Sequence, residues 1–390
     1  MRYKTETNYI IELLKCSVTE EMPSVPPENI DWNQVFLIAR KHRICSTLYF
    51  GMQKLPKSCQ QLIGHFDQYV LAYKKTLVLD ANRTYELKNL KQDFEDNGID
   101  YILLKGSITK HLYPDTAMRV MSDIDIFYRN ASTDVIINIL SKNGFQITKR
   151  EPKEVAFFKN INEIKVEMQT QLIDEGYELW FDYLKNIWDK CIQTGNTHEY
   201  KMSDEDFYIY HILHMAKHFK NGGIGLIHVL DVWILINTYS NMDYEYVKHE
   251  LRYLGLDIFE NNLRMLVNNW FGNYEPDQDT AITLELLGTY LFSGGAFGLK
   301  SQREINAVVD RNDKNFSWRK KIFPDINIMT DYYGSTIKKH PYLLPIYWIR
   351  LNFKRLFIER KKLKNNINLI NSISDEQVED TRELMKRCGL

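Results

Sequence analysis

Residues 103–128 read LLKGSITKHLYPDTAMRVMSDIDIFY, and this stretch decides the fold. It opens at the end of a short β-prone run, IDYILL, turns at Gly106-Ser107, and starts a helix over Ile108–Tyr113 that Pro114 breaks. SDIDIFY is a second β-like run. Asp123 and Asp125 are two apart, with Ile124 and Ile126 between and after them. A strand has period two, so both carboxylates project from one face and both isoleucines enter a core from the other. On a helix the pair would diverge by about 200°, and Ile, Ile, Phe and Tyr argue for the strand. Side-by-side carboxylates repel unless a positive group lies between them, and a hard divalent cation, Mg²⁺ or Mn²⁺, suits that place. Glycine permits close backbone approach at Gly106, and the N–H groups of a helix start favour a phosphate. Phosphate on one element and metal on the next make a nucleoside triphosphate site. The competing reading of an isolated Asp-x-Asp is the solvated side of an edge strand.

Outward from this block the pattern is helical on both sides. In DWNQVFLIARKHRI, Val35, Phe36, Ile38 and Ala39 keep a helical stripe behind Asp31, a good N-cap. A long helical segment ends at Asn97-Gly98. After a helix over Ser132–Asn143, closed by Gly144, VAFFKN and EIKVEMQTQL form a hairpin across Asn160–Asn162. From Tyr177 onward the pattern returns to helices. The fold class is therefore α+β: a small mixed β-sheet core over residues 96–176, flanked by an N-terminal helical region (1–95) and a C-terminal helical region (177–390).

The 390 residues carry 50 basic and 51 acidic side chains, a formal charge of −1, which excludes a whole-chain field for bulk nucleic acid binding. Five scattered cysteines without a Cys-x-x-Cys pair exclude a disulfide framework or thiolate zinc site and point to a reducing, cytoplasmic setting. The most apolar stretch, Ile224–Tyr239, is shorter than the ~20 residues that span a bilayer and contains Asp231, so it reads as a buried helix. Residues 338–364 hold nine basic residues and one acidic, Glu359, interleaved with aromatics. An amphipathic helix with a basic outer face explains them, and weak peripheral contact with an anionic membrane competes with it. The run Trp318-Arg319-Lys320-Lys321 reads the same way.

The 103–128 block resembles the signature of the DNA polymerase β-like nucleotidyltransferases, a Gly-Ser turn followed by Asp-hydrophobic-Asp. In detail it is similar to the bacterial group of uncharacterised nucleotidyltransferases, whose members carry Leu-Lys-Gly (here Leu104-Lys105-Gly106), Tyr-Pro (Tyr113-Pro114) and an arginine shortly before the aspartates (Arg119). HILHMAKHF, IGLIHVLD and LLPIYWIR look like that group's helical flanks. The resemblance implies a third carboxylate on a neighbouring strand, and Glu167 aligns with it, with Asp174 and Glu163 in reserve. It implies two metal ions on Asp123, Asp125 and Glu167, in-line attack of an acceptor oxygen on the α-phosphorus, and departure of pyrophosphate. Gly106 and Ser107 would cradle the outer phosphates, Arg119 and Ser122 would orient phosphate oxygens, and Lys105 lies beside the turn. His211, His214 and His218 share one helical face; they read as structural histidines or, weakly, as zinc ligands, and the resemblance would turn His214, Lys217 and His218 toward base, ribose or phosphate. Three departures are evident: Met168 and Gln169 follow Glu167 where Leu-His is usual, Ile227 follows Gly225-Leu226 where the group has arginine, leaving His228 as its substitute, and 15 residues separate Ser107 from Asp123.

The expected activity is metal-dependent transfer of a nucleoside monophosphate, AMP first, from a nucleoside triphosphate to an unidentified hydroxyl acceptor, a small molecule or carbohydrate ahead of a protein. The alternative is a catalytically inactive nucleotide-binding or regulatory helical protein of the same fold.

Overall fold

In the computed structural model, which describes residues 4–295, 300–311, 322–334, 336–357 and 373–390, the alternating runs become strands. β1 (Asp100–Leu103), β2 (Ile124–Arg129), β3 (Gln146–Glu151), β4 (Glu154–Lys159), β5 (Ile164–Gln169), β6 (Ile192–Gln193) and β7 (Glu199–Lys201) form one mixed sheet in the order β3-β4-β5-β2-β1-β7-β6. β2 is antiparallel to β1 and parallel to β5, in a register that sets Asp125 against Glu167. Helices α1 (Lys4–Val18), α2 (Trp32–His42), α3 (Cys45–Gln53), α4 (Lys57–Gln60) and α5 (Phe66–Asp96) precede the sheet, and α6 (Gly106–Thr109) and α7 (Thr133–Lys142) lie within it. Then come α8 (Glu178–Leu184), α9 (Asp204–Lys220), α10 (Leu226–Thr238), α11 (Tyr244–Tyr253), α12 (Asp257–Phe271), α13 (Gln278–Gly294) and α14 (Lys300–Arg311), followed by helices that include Leu344–Phe357 and Asp375–Arg387. This is the expected α+β fold.

Local chemistry explains the element ends. Asp31 accepts from the N–H groups of Asn33 and Gln34 at the start of α2, and Ser132 accepts from Val135 N–H at the start of α7. Gly98 has φ +64°, which lets the chain leave α5 and enter β1 directly. The β4–β5 hairpin forms across Asn160–Asn162 as expected. β3 has no sequence signature, because QITKRE is exposed along its length and shows no alternation; pairing with β4 makes it a strand. The sheet also extends beyond residue 176, since β7 pairs in parallel with β1 and β6 with β7, strands of three and two residues that are too short to leave a period.

The two faces of the sheet bury different partners. Tyr101, Ile124, Ile126, Tyr128, Phe157, Val166 and Met168 pack with Leu90 and Phe94 of α5 and with Ile136, Ile139 and Leu140 of α7. On the opposite face Ile102, Leu104 and Phe127 join the large helical core built from α1–α3 and α9–α13. The two isoleucines of the Asp-x-Asp run therefore anchor one side, and the aspartates face the helices. All five cysteines are free. Among the described residues no helix is long and apolar enough to cross a membrane. Of the basic segment 338–364, residues 358–364 lie outside the described residues, as does Trp318–Lys321.

His42, at the end of α2, ties two distant helices together. Its Nε2 donates to Phe292 O (3.2 Å), and Leu226 N–H, at the start of α10, donates to its Nδ1 (3.4 Å). Accepting from Leu226 requires an unprotonated Nδ1 and hence a neutral ring, and burial pushes its pKa down to about 4. Above pH 6.5 this costs nothing. As pH falls from 6.5 toward 4 the unfolded chain gains a proton that the folded chain refuses, a loss of about 3 kcal/mol. Thermal unfolding followed from pH 7 to 4 should show His42→Gln less stable than the parent at pH 7 but with a shallower acid-side fall. Parallel pH curves would contradict this assignment.

Candidate active site

The carboxylates gather where strand register and loop anchoring coincide. Asp125 and Glu167 are register neighbours on β2 and β5, and Asp123 immediately precedes β2. All three line a cleft of about 410 Å³ between the sheet and α9–α10, together with Lys105, Gly106, Arg119, Ser122, His214 and His218. Asp125 is 5 % exposed. Burial raises its pKa to about 6, with Asp123 and Glu167 adding to the rise and Lys105 opposing it.

Two lysines balance this charge. Lys105 Nζ lies 2.7 Å from Asp125 Oδ1, and Gln169 Nε2 donates to the same oxygen at 2.9 Å. Lys105 is also held at φ +50°, ψ −127°, a conformation that costs a side-chain-bearing residue about 1–3 kcal/mol. Burial opposes its charge, but Asp125 keeps its pKa raised. Lys165, two residues before Glu167 on the same strand face, pairs with Glu167 Oε1 and lies 3.5 Å from Asp123 Oδ2. Ser122 Oγ donates to Asp123 Oδ1 (2.8 Å). Among the described residues no three His, Cys, Asp or Glu side chains stand ready to hold a metal ion. The donors nevertheless suit a hard cation: all are carboxylate oxygens, and an ammonium already sits between two of them.

The loop between turn and strand is pinned from three sides. Arg119 Nε and Nη2 donate to both oxygens of Asp231 on α10 (2.8–3.1 Å), its Nη1 donates to Val120 O (2.8 Å), and the Tyr113 hydroxyl also donates to Asp231 (2.8 Å). Asp231 is fully buried; burial would raise its pKa, but Arg119 and His228 hold it well below the usual range. Ser46 and Thr47 of α3 donate to Ala117 O and Met118 O, and Arg83 of α5 donates to Met121 O. Arg119 lines the cleft with its Nε, Nη1 and Nη2 engaged by Asp231 and Val120, because a guanidinium facing a buried carboxylate pairs with it strongly.

Other expected residues divide. Gly106 lines the cleft, and a Cβ there would meet Met121 Cγ at 3.2 Å and Arg119 Nη2 at 3.6 Å. Ser107 does not line it: its N–H donates to Leu104 O, and its buried hydroxyl has no partner among the described residues. His214 and His218 face the cleft with their Nε2 atoms 3.0 Å apart. Desolvation within the cleft, with nearby cations including Lys105, pushes the pKa of half-buried His214 well down and that of His218, the more exposed of the two, to about 4. Lys217 points elsewhere and pairs with Asp174 (2.9 Å), while Glu163 pairs with Lys75, so neither reserve carboxylate joins the cluster. His211 is buried behind the cleft.

Arg43, Lys165, His228 and Arg303 also line the cleft. The period-two pattern of EIKVEMQ already put Lys165 on the face of Glu167. Arg43, which ends α2 at φ +57°, and Arg303 on α14 carry no local signal, since they arrive from helices remote in sequence.

Asp231→Asn would leave Arg119 buried without its counter-charge. Denaturant unfolding should show a loss of about 3–5 kcal/mol, largely restored in Arg119→Met/Asp231→Leu. A single variant as stable as the parent would contradict the clamp.

Residues 28–272, more than half of the chain, match a protein family described as uncharacterised nucleotidyltransferase. No curated protein and no solved structure matches the chain.

Proposed function

The chain belongs to the family of uncharacterised nucleotidyltransferases and is a transferase of phosphorus-containing groups; from that premise we propose a metal-dependent enzyme that moves a nucleoside monophosphate, AMP first, from a nucleoside triphosphate to a hydroxyl of a small molecule or carbohydrate. The observation that carries this reading is the register pairing of Asp125 with Glu167, beside Asp123 in a cleft that Gly106 also lines. It also favours turnover over the binding-only alternative, and supports kinship with the polymerase β-like nucleotidyltransferases.

Asp123, Asp125 and Glu167 would hold the divalent ions. Such ions, when bound, neutralise charge on the transferring phosphoryl group. The chain's own groups do the rest. The Gly106 N–H, for which no protein acceptor is found among the described residues, would serve an outer phosphate, with Arg43, Arg303 and His228 of the cleft wall supplying donors. Neutral His214 and His218 suit hydrogen bonds and ring contacts to ribose or base without attracting the phosphates. The acceptor oxygen bonds to the α-phosphorus as the α–β bridging bond breaks, pyrophosphate leaves, and Glu167 takes the hydroxyl proton. Arg119 acts as a positioning residue through the loop that carries Ser122 and Asp123.

Incubation with each α-labelled triphosphate, Mg²⁺ and a cell extract should give label transfer that Asp123→Ala/Asp125→Ala abolishes. Equal labelling by both proteins would remove this site from consideration. Glu167→Gln should lower kcat by about 10²–10⁴-fold, the range for losing a general base. Retained kcat would assign the proton to another group.

A further inference from the structure

The carboxylate cluster does not stand open. Its three negative charges face two ammonium groups of the chain itself, and the two lysines are held very differently. Lys105 is fastened: its Nζ is 2.7 Å from Asp125 Oδ1, Gln169 donates to the same oxygen, and its backbone is fixed in an unusual conformation. Lys165 is tethered only through its ammonium. Its side chain is 38 % exposed at the cleft wall, and its contacts to acids are the pair with Glu167 and the 3.5 Å approach to Asp123 Oδ2. Asp123 and Glu167 therefore share one cation, and it is a lysine.

We propose that Lys165 is an internal counter-ion: it fills the cation position between Asp123 and Glu167 in the free protein, yields that position to a divalent ion arriving with the triphosphate, and turns into the cleft to pair with phosphate oxygens. This rests on the metal-dependent reading above and deepens it. A lysine can do this because its charge sits at the end of a flexible four-carbon stem, so the ammonium moves several ångströms without backbone change. Leaving the carboxylates is unfavourable unless a new anion receives it, and the triphosphate supplies one. Metal and nucleotide therefore bind with positive coupling, each strengthening the other by the same factor. The free protein, by contrast, holds a bare divalent ion weakly. Lys165 is a positioning residue here, since its effect on the reaction runs through the ions and phosphates it yields to and receives.

The test is Mn²⁺ binding, read from the electron paramagnetic resonance signal of the free ion. The titration is run with and without a non-hydrolysable α,β-methylene triphosphate. Without nucleotide, Lys165→Met should bind Mn²⁺ at least about tenfold tighter than the parent, because one competing positive charge beside two carboxylates is gone. Lys165→Arg, which keeps the charge, should stay close to the parent, and Glu167→Gln in the Lys165→Met background should cancel the gain. The enhancement of Mn²⁺ affinity by the nucleotide analogue should shrink in Lys165→Met. Cooperative thermal unfolding of each variant checks its folding, and Lys165→Arg supplies the fold-neutral comparison. If Lys165→Met binds no tighter than the parent while the parent still binds Mn²⁺ with the analogue, the counter-ion inference is overturned and the metal-dependent reading stands. If neither protein binds Mn²⁺ even with the analogue, both are overturned.

Discussion

A buried ion pair between segments 112 residues apart organises this protein. Arg119, from the loop before β2, meets Asp231 on α10 through two nitrogens and both oxygens, and Tyr113 adds a third donor. Both partners are out of solvent. Removing water from two charges is expensive, and only close, fully satisfied geometry offsets that cost. Once made, the contact leaves little freedom in how the sheet and the α9–α10 helices face each other. The cleft exists because the helices are held at that one distance from the carboxylates. The same loop is tied to α3 by Ser46 and Thr47 and to α5 by Arg83, so its length costs the site no precision.

Charge inside the cleft is divided by burial. On the sheet side, Lys105 pairs with Asp125 and Lys165 with Glu167. On the helix side, desolvation and the cations near His214 and His218, Lys105 among them, both disfavour the imidazolium form. One wall thus carries the paired acids and lysines, and the helices bring imidazoles, Arg43 and Arg303, with Ile224 and Ile227 also in the lining.

Much of this was legible in the chain. The alternation in SDIDIFY put the isoleucines in a core and the aspartates on a free face, and Asp31, Ser132 and Gly98 marked helix ends by side-chain or backbone chemistry that acts over three or four residues. Glu167 and Lys165 shared a face by period two alone. The illegible parts lack such short-range signals. β3 is exposed and unpatterned, and β6 and β7 are too short to show a period. Arg119 reads as a phosphate ligand when its neighbours in sequence are the only context; its actual partner lies far along the chain. Arg43 and Arg303 reach the cleft from opposite ends of the sequence and could be found only in three dimensions.

Local sequence by itself determined the strands that matter, the helices around them, and the presence of acids, a glycine turn and neutralising lysines in one short region, because periodicity and capping depend on residues within a turn or two. Tertiary structure alone decided which acid stands against which, which arginine is consumed by a buried carboxylate, which histidines lose their charge, and that Lys165 lies between Asp123 and Glu167. Those outcomes depend on distance and desolvation, which arise only when remote segments are packed against each other and water is excluded between them.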